Sequence, residues 1–241
     1  FMFERYGDIQ VLANLPIISS IGADSAQKKA VLNNYVDAYK VYDSIGIFNL
    51  NGDVIVQSQG NIFSNKGNSD FFKNAIETGN AVISQPEFSK SSDSFNIYTA
   101  APIKNPAGTT TSVVIARMPV KSLQNLVKNY ASSGQKFYLA NAKNQIFLSA
   151  SKTSPDNTLQ QEYGITLEQK AFTGVIKHKS DSELELVSYL PSVEQMQIES
   201  LQPLNWDVVL ATNASTAFAP RRSLLLTIAL GTGLTACAVA L

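Results

Sequence analysis

The N-terminal part of the chain carries apolar residues at helical spacing. They recur three and four positions apart between residues 9 and 13 and again between residues 31 and 39. This spacing is typical of a helix, and it is interrupted near Pro16 and Gly22. The pattern predicts one long, bent N-terminal helix.

The pattern changes to short β-rich runs at residue 44. Residues 44–50 and 53–58 flank the dipeptide Asn51-Gly52, which is a strong signal for a hairpin. A short helix is predicted next, over residues 70–76. Three more strands and a helix follow, at residues 81–84, 95–100, 111–117 and 122–130.

A second unit with the same order of elements begins after residue 134. Residues 136–140 and 145–149 form its opening hairpin around a polar turn. Later strands are predicted near residues 174–178, 185–190 and 206–212. The chain is therefore expected to be α+β, with two successive units that each contain one antiparallel sheet with helices packed on it.

The C-terminal run is uncharged over residues 223–241 and follows Arg221 and Arg222. A bilayer crossing needs about 20 apolar residues, so this run predicts a transmembrane helix. The alternative is a buried helix of a soluble domain. It is less favoured, because so small a protein could hardly bury an uncharged run of this length. With the apolar opening Phe1-Met2-Phe3, the chain is expected to be a fragment between two membrane crossings.

Composition and motifs exclude several classes of function. The 19 basic and 19 acidic residues balance and form no basic stripe, so nucleic acid is not an expected partner. Cys237 is the only cysteine, which excludes an internal disulfide and a cysteine metal cluster. No phosphate-binding loop, nucleophile elbow or histidine-rich spacing occurs, so we expect no enzyme activity, cofactor or metal.

Five segments together resemble the double Cache (dCache) sensor domains of bacterial chemoreceptors and sensor kinases. Residues 5–13 resemble the helix that leaves the membrane, 47–54 the first hairpin, and 69–75 the short-helix motif of that family. Residues 189–191 and 204–209 resemble its closing strands. The opening and the C-terminal run are also similar to cyanobacterial methyl-accepting receptors of the twitching and phototaxis type.

The resemblance implies two tandem PAS-like modules behind a long helix. Its domains would be a membrane-exit and stalk helix (1–42), a membrane-distal ligand-binding module (43–131), a membrane-proximal module (132–219) and a transmembrane helix (220–241). It further implies a homodimer in the bacterial inner membrane, with the sensor region in the periplasm. The signal would pass to cytoplasmic signalling proteins through a part of the receptor outside this sequence.

In that family the ligand lies between the distal sheet and the loop that carries the short helix. Amino-acid sensors of the family use an arginine on the short helix and an aspartate on the last distal strand, but these positions hold Ser69 and Arg117 here. The resemblance therefore argues against an amino-acid ligand, since a cation would repel its ammonium group. We expect a small carboxylate held by Arg117. The predicted binding residues are Asp70, Phe71, Phe72, Tyr98, Thr99 and Arg117.

Simpler roles compete with these assignments. Asp70 could cap the short helix, Tyr98 could be a core residue, and Arg117 could be an exposed edge residue paired with an acid. His178 stands between two lysines and is expected on a solvated strand rather than in a catalytic or metal site. Trp206 is expected to be a core anchor of the second module.

Three functions remain open at this point. The first is a sensor of a chemotaxis or phototaxis receptor, in which ligand binding shifts two packings of the sheet against the long helix. The second is the same sensor joined to a histidine kinase or a diguanylate cyclase. The third is an adhesion or scaffold ectodomain without a small ligand.

Overall fold

The computed structural model describes residues 1–20, 22–90, 92–128, 135–149, 156–166, 168–179, 182–191 and 204–219. Its helices are α1 (Met2–Asn14), α2 (Pro16–Ser19), α3 (Ser25–Tyr39), α4 (Asp70–Thr78), α5 (Lys121–Lys128), α6 (Leu159–Tyr163) and α7 (Ala214–Ala217). Its strands are β1 (Ser44–Phe48), β2 (Val54–Gln57), β3 (Val82–Ile83), β4 (Glu87–Ser89), β5 (Ser94–Lys104), β6 (Thr110–Pro119), β7 (Gln135–Ala140), β8 (Ile146–Ser149), β9 (Phe172–Lys177), β10 (Leu184–Leu190) and β11 (Asp207–Asn213).

The N-terminal segment forms three helices instead of the single bent helix predicted. Leu15 has an extended backbone (φ −63°, ψ 133°) between α1 and α2, as expected for a residue before proline. Ser20 is also extended, with ψ 124°, and ends α2 before Gly22. The two interruptions read from the sequence are therefore real, and they separate helices. Of these, α1 packs on β5 and β6 of the first sheet.

The first sheet is antiparallel, and its strand order is β2-β1-β6-β5-β3, with β4 also paired to β5. β1 and β2 form the predicted hairpin around Asn51-Gly52. Gly52 has φ +83°, and a Cβ atom there would lie 2.0 Å from the backbone nitrogen of Gly67. This turn therefore needs glycine both for its left-handed backbone and for the close approach of the following loop.

The second sheet is also antiparallel, with the order β8-β7-β11-β10-β9. Both sheets place the opening hairpin at one edge, the last strand next to it and the earlier strands beyond. The expected α+β class and the two successive antiparallel units are thus confirmed.

One apolar cluster contains residues of both sheets, and each sheet has a second cluster of its own. One face of the first sheet packs against α1 and α3 through Ile45, Ile97 and neighbouring residues, and this cluster continues to Phe147 and Trp206 of the second unit. Trp206 is 8% exposed, and its ring centroid lies 5.0 Å from that of Phe147. Trp206 is a core residue, as predicted, and it belongs to the cluster to which both units contribute. The opposite face of the first sheet packs against α4 through a separate aromatic cluster.

The predicted transmembrane helix (220–241) lies outside the described residues. Within the described ranges, no helix is both long enough and apolar enough to cross a membrane.

Candidate ligand site

The candidate site lies on the face of the first sheet that carries α4. Side chains alternate between the two faces of a strand, and Tyr98 of β5 is the direct cross-strand partner of Arg117 of β6. Both side chains lie on the α4 face, as do those of Phe48 and Ile115. The sheet therefore brings Tyr98 and Arg117 together beneath α4 and the loop before it.

Tyr98 is the centre of a small stack. Its ring lies parallel to the ring of Phe71, with an interplanar angle of 5° and a centroid distance of 5.1 Å. The ammonium group of Lys66, in the loop before α4, lies 4.4 Å from the centroid of the Tyr98 ring. Such a cation–π contact holds the loop against the sheet. Burial raises the pKa of Tyr98, while the charge and hydrogen bond of Arg117 act in the opposite direction.

Arg117 is held on several sides. Its Nε atom donates to Oδ2 of Asp43 at 2.9 Å, and its Nη2 atom donates to Oγ of Ser44 at 2.7 Å and to the carbonyl of Asn61. Its guanidinium carbon lies 4.4 Å from the centroid of the Phe63 ring. The arginine is paired with an acid, as one of the simpler roles supposed. It is not an edge residue, because β6 lies between β1 and β5 and the side chain is 12% exposed.

Two cavities open near these residues, one lined in part by Phe71 and the other in part by Arg117. The larger has a volume of about 940 Å³. It is lined by Tyr6, Asp70, Phe71, Asn74, Thr78, Asn80, Ala81, Val82, Ile83, Ser84, Gln85, Glu87 and Leu204. The smaller has a volume of about 410 Å³. It is lined by Asp43, Gly60, Asn61, Ile62, Ser89, Ser92, Ser94, Asn96, Arg117 and Pro119. Both volumes are in the range of small-ligand sites.

The cavities differ in charge. The larger is lined by the carboxylates of Asp70 and Glu87 and by no basic side chain among the described residues. Desolvation raises the pKa of Glu87, Asp70 adds to the rise and Lys66 opposes it. Desolvation also lowers the pKa of Lys66. In the smaller cavity, the charge of Arg117 is already balanced by Asp43.

The structure separates the six predicted binding residues. Asp70 and Phe71 line the larger cavity, and Arg117 lines the smaller. Tyr98 contacts both Phe71 and Arg117 but lines neither cavity. Phe72 is 1% exposed and packs edge-on against Phe48, at 6.5 Å between centroids, so it is a core residue.

Thr99 points away from the other predicted residues. It is 1% exposed and lies on β5 between Tyr98 and Ala100, which both face α4. Strand alternation therefore directs its side chain to the opposite face. Asp70 is the first residue of α4, and the N-cap is Ser69, which makes no side-chain capping bond. The alternative role of Asp70 as the helix cap was wrong.

The residues that the sequence reading missed are Asp43, Lys66 and Glu87. Lys66 lies in a polar loop without periodicity, so nothing in its neighbourhood marks it. Asp43 could have been found only from the register of β1 and β6, in which Ser44 is the partner of Arg117. Glu87 begins β4, a three-residue strand that the sequence reading did not predict.

The equivalent place in the second unit holds a buried ionic cluster. Glu185 is fully buried and accepts a hydrogen bond from the hydroxyl of Tyr163 at 2.8 Å; its other oxygen lies 2.6 Å from Nζ of Lys136. His178, expected on a solvated strand, is in fact 6% exposed, with Nε2 3.0 Å from Oε2 of Glu162. Lys177 and Lys179 are exposed, whereas His178 between them points inward, because successive side chains alternate along an extended segment.

Comparison with known proteins identifies the class of fold. No protein family matches the chain, and no curated protein sequence matches it either. Solved structures do match over most of its length. The ligand-binding domain of the Pseudomonas aeruginosa amino acid chemoreceptor PctC, in complex with GABA, is 15% identical with a TM-score of 0.65, over 88% of this chain and 91% of that one.

Two further solved structures also match over most of the chain at low sequence identity. The ligand-binding domain of the Campylobacter jejuni chemoreceptor Tlp3, in complex with 4-methylisoleucine, is 18% identical with a TM-score of 0.63, over 90% of this chain and 84% of that one. The extracellular domain of a histidine kinase, rpHK1S-Z16, is 12% identical with a TM-score of 0.66, over 90% and 88%. The chain has the fold of these sensory domains, which confirms at the level of the fold the resemblance read from the sequence.

Proposed function

We propose that the chain is the extracytoplasmic sensing region of a bacterial membrane receptor, and that a small molecule binds on the α4 face of the first sheet. The observation that carries this proposal is the pair of cavities lined by Phe71 and by Arg117, the two residues that Tyr98 contacts. The common fold with chemoreceptor ligand-binding domains supports it.

The domain layout follows the same proposal. Residues 43–131 would form the membrane-distal module that binds the ligand, and residues 132–219 the membrane-proximal module. Residues 1–42 would lead from the membrane, and residues 220–241 would return to it. Dimers would form along the N-terminal helices, where Val11 and Tyr39 are 58% and 37% exposed.

The proposed ligand is a small carboxylate, held at Arg117. A planar guanidinium on a central strand, already fixed by Phe63 and Ser44, is a preorganised partner for a carboxylate.

Signalling requires only that the ligand bind one packing of the sheet and helices better than another. Coupling free energies of about 1–3 kcal/mol are typical of such switches. The output would be a chemotaxis or phototaxis pathway. The matched histidine kinase domain equally supports the alternative of a kinase receptor.

A thermal-shift screen of the purified chain against carboxylates, amines, purines and amino acids tests the proposal. A ligand at a hundred times its Kd should stabilise the folded state by about 2.7 kcal/mol. Phe71→Leu should reduce the shift, because it removes the ring that lines the larger cavity and stacks on Tyr98. Val175→Ala, at a 49% exposed position on the second sheet, is the matched control and should keep it. If no compound raises the melting temperature, the adhesion or scaffold alternative is favoured.

A further inference from the structure

The carboxylate of Asp43 lies in a cradle of three donors. Its Oδ2 atom accepts hydrogen bonds from Nε of Arg117 at 2.9 Å and from Oγ of Ser44 at 3.0 Å. Its Oδ1 atom accepts one from Nδ2 of Asn61 at 2.8 Å. An arginine and two neutral donors around both oxygens are the groups with which a protein binds a free carboxylate. A side chain of the protein itself therefore fills a carboxylate-binding site.

This cradle opens on the smaller cavity. Asp43, Asn61 and Arg117 all line that space of about 410 Å³. The side chain of Arg117 is anchored by Phe63 and by Ser44, whereas Asp43 precedes β1 and is 18% exposed. A small anion entering the cavity therefore meets a fixed guanidinium and a carboxylate at the start of a strand. Of the two side chains, Asp43 is the more exposed, and its contacts are hydrogen bonds and an ion pair that an anionic ligand can take over.

Building on the ligand-sensing function proposed above, we propose that Asp43 is a resident carboxylate that occupies the ligand's place at Arg117. An anionic ligand binds by replacing it there. The affinity of the receptor for such a ligand is then set by how often Asp43 leaves the cradle, because a site that is open only part of the time binds with proportionally lower apparent affinity.

The residue before Asp43 connects the cradle to α1. Tyr42 is buried in the cluster on the opposite face of the sheet. Its hydroxyl donates to Oδ2 of Asp8 at 3.2 Å, and the same oxygen lies 2.9 Å from Nε of Arg5. Asp8 and Arg5 both belong to α1. Because residues 42 and 43 share a peptide unit, a displacement of Asp43 that moves its backbone also moves Tyr42, which contacts α1.

Acetate is the probe for competition between Asp43 and an anionic ligand at Arg117. It is titrated calorimetrically at constant ionic strength, and methylammonium chloride is the cation control. Asp43→Asn should bind acetate roughly 10- to 1000-fold more tightly than the unmodified chain, because an open minor state is typically 0.1–10% populated. Asp24→Asn removes the same charge at an exposed position outside the cradle, where the side chain makes no capping bond. It should leave the affinity unchanged, which separates loss of the competitor from a general loss of negative charge.

Asp43→Ser should give the same gain in acetate affinity, and it replaces Asp43→Asn in the test if that variant does not fold. Equal or weaker acetate binding in the folded Asp43 variant, or no binding in any variant, overturns the proposal by showing that Asp43 is only structural. The link from Asp43 to α1 is tested by hydrogen exchange. The exchange of the α1 amides should change when acetate binds Asp43→Asn. Tyr42→Phe, added to Asp43→Asn, should abolish that change while leaving the affinity intact. An α1 that exchanges identically with and without acetate contradicts the link.

Failure of the competitor role of Asp43 can be distinguished from failure of the proposed ligand sensing. If a compound from the screen binds the unmodified chain and Asp43→Asn equally, ligand sensing stands and the competitor role fails. If acetate binding improves in Asp43→Asn but no compound in the screen binds, the competitor role stands and the proposed sensing fails.

Discussion

The ion pair between Lys136 and Glu185 allows a quantitative test of how the second unit is held together. Glu185 is 0% exposed, whereas the Lys136 side chain is 40% exposed. Lys136→Met would leave the buried carboxylate with the Tyr163 hydroxyl as its remaining partner in these contacts. Removing one partner of a buried pair costs about 3–5 kcal/mol. Because Lys136 is partly hydrated, we expect about 2–4 kcal/mol, or a fall in melting temperature of roughly 4–16 °C.

The double variant Lys136→Met/Glu185→Gln should recover most of this loss. The amide can still bond to Tyr163 and leaves no buried charge, so its free energy of unfolding should lie within about 1 kcal/mol of the unmodified chain. Glu185→Gln alone should cost about 1 kcal/mol, because the lysine that it leaves can reach water.

Urea denaturation of the four proteins, followed by circular dichroism, gives the coupling energy. The two single losses sum to about 3–5 kcal/mol and the double loss is about 1, so the coupling should be about 2–4 kcal/mol. If the losses instead add to within about 0.5 kcal/mol, the carboxylate is not held by the lysine and the reasoning fails.

Three further predictions concern the first unit. Phe72→Ala should lower the free energy of unfolding by about 3–5 kcal/mol in urea denaturation, because the ring is fully buried against Phe48; a loss below 1 kcal/mol would mean that the ring is not in the core. Gly52→Ala should cost at least about 1–3 kcal/mol from its positive φ, and should displace the loop at Gly67, detected by limited proteolysis; unchanged proteolysis would contradict the close approach. Glu87 has a raised pKa when folded, so its charge destabilises the fold as pH rises. Because Glu87 is exposed at the surface, the effect is small: Glu87→Gln should raise the melting temperature slightly at pH 7, and the gain should vanish below the ordinary carboxyl pKa of 4.5; a gain that is independent of pH would refute this cause.

Local signals in the sequence identified most of the fold. The Asn51-Gly52 turn and the breaks at Pro16 and Gly22 depend on backbone preferences of single residues, and the structure has them where predicted. The separation of the N-terminal segment into distinct helices was missed, because spacing alone does not tell a kink from a break. Short elements such as α6 carry too few residues for a periodic pattern.

The site was only partly predictable, because it depends on strand register. Tyr98 and Arg117 were both identified, but their pairing follows from a register that no local pattern specifies. A shift of one residue decides whether Thr99 or Tyr98 faces α4. The same reason explains His178, whose lysine neighbour Lys177 is exposed while the histidine points inward. Asp43 could be recognised as a neighbour of Arg117 only from the assembled sheet.

The most direct test of the central claim is a crystal structure of the chain with the tightest compound from the screen. We predict that the ligand lies on the α4 face of the first sheet, in contact with Phe71 or Tyr98, with a carboxylate at Arg117. A ligand bound on the second sheet or along α1 and α3, with both cavities unchanged, would contradict the account.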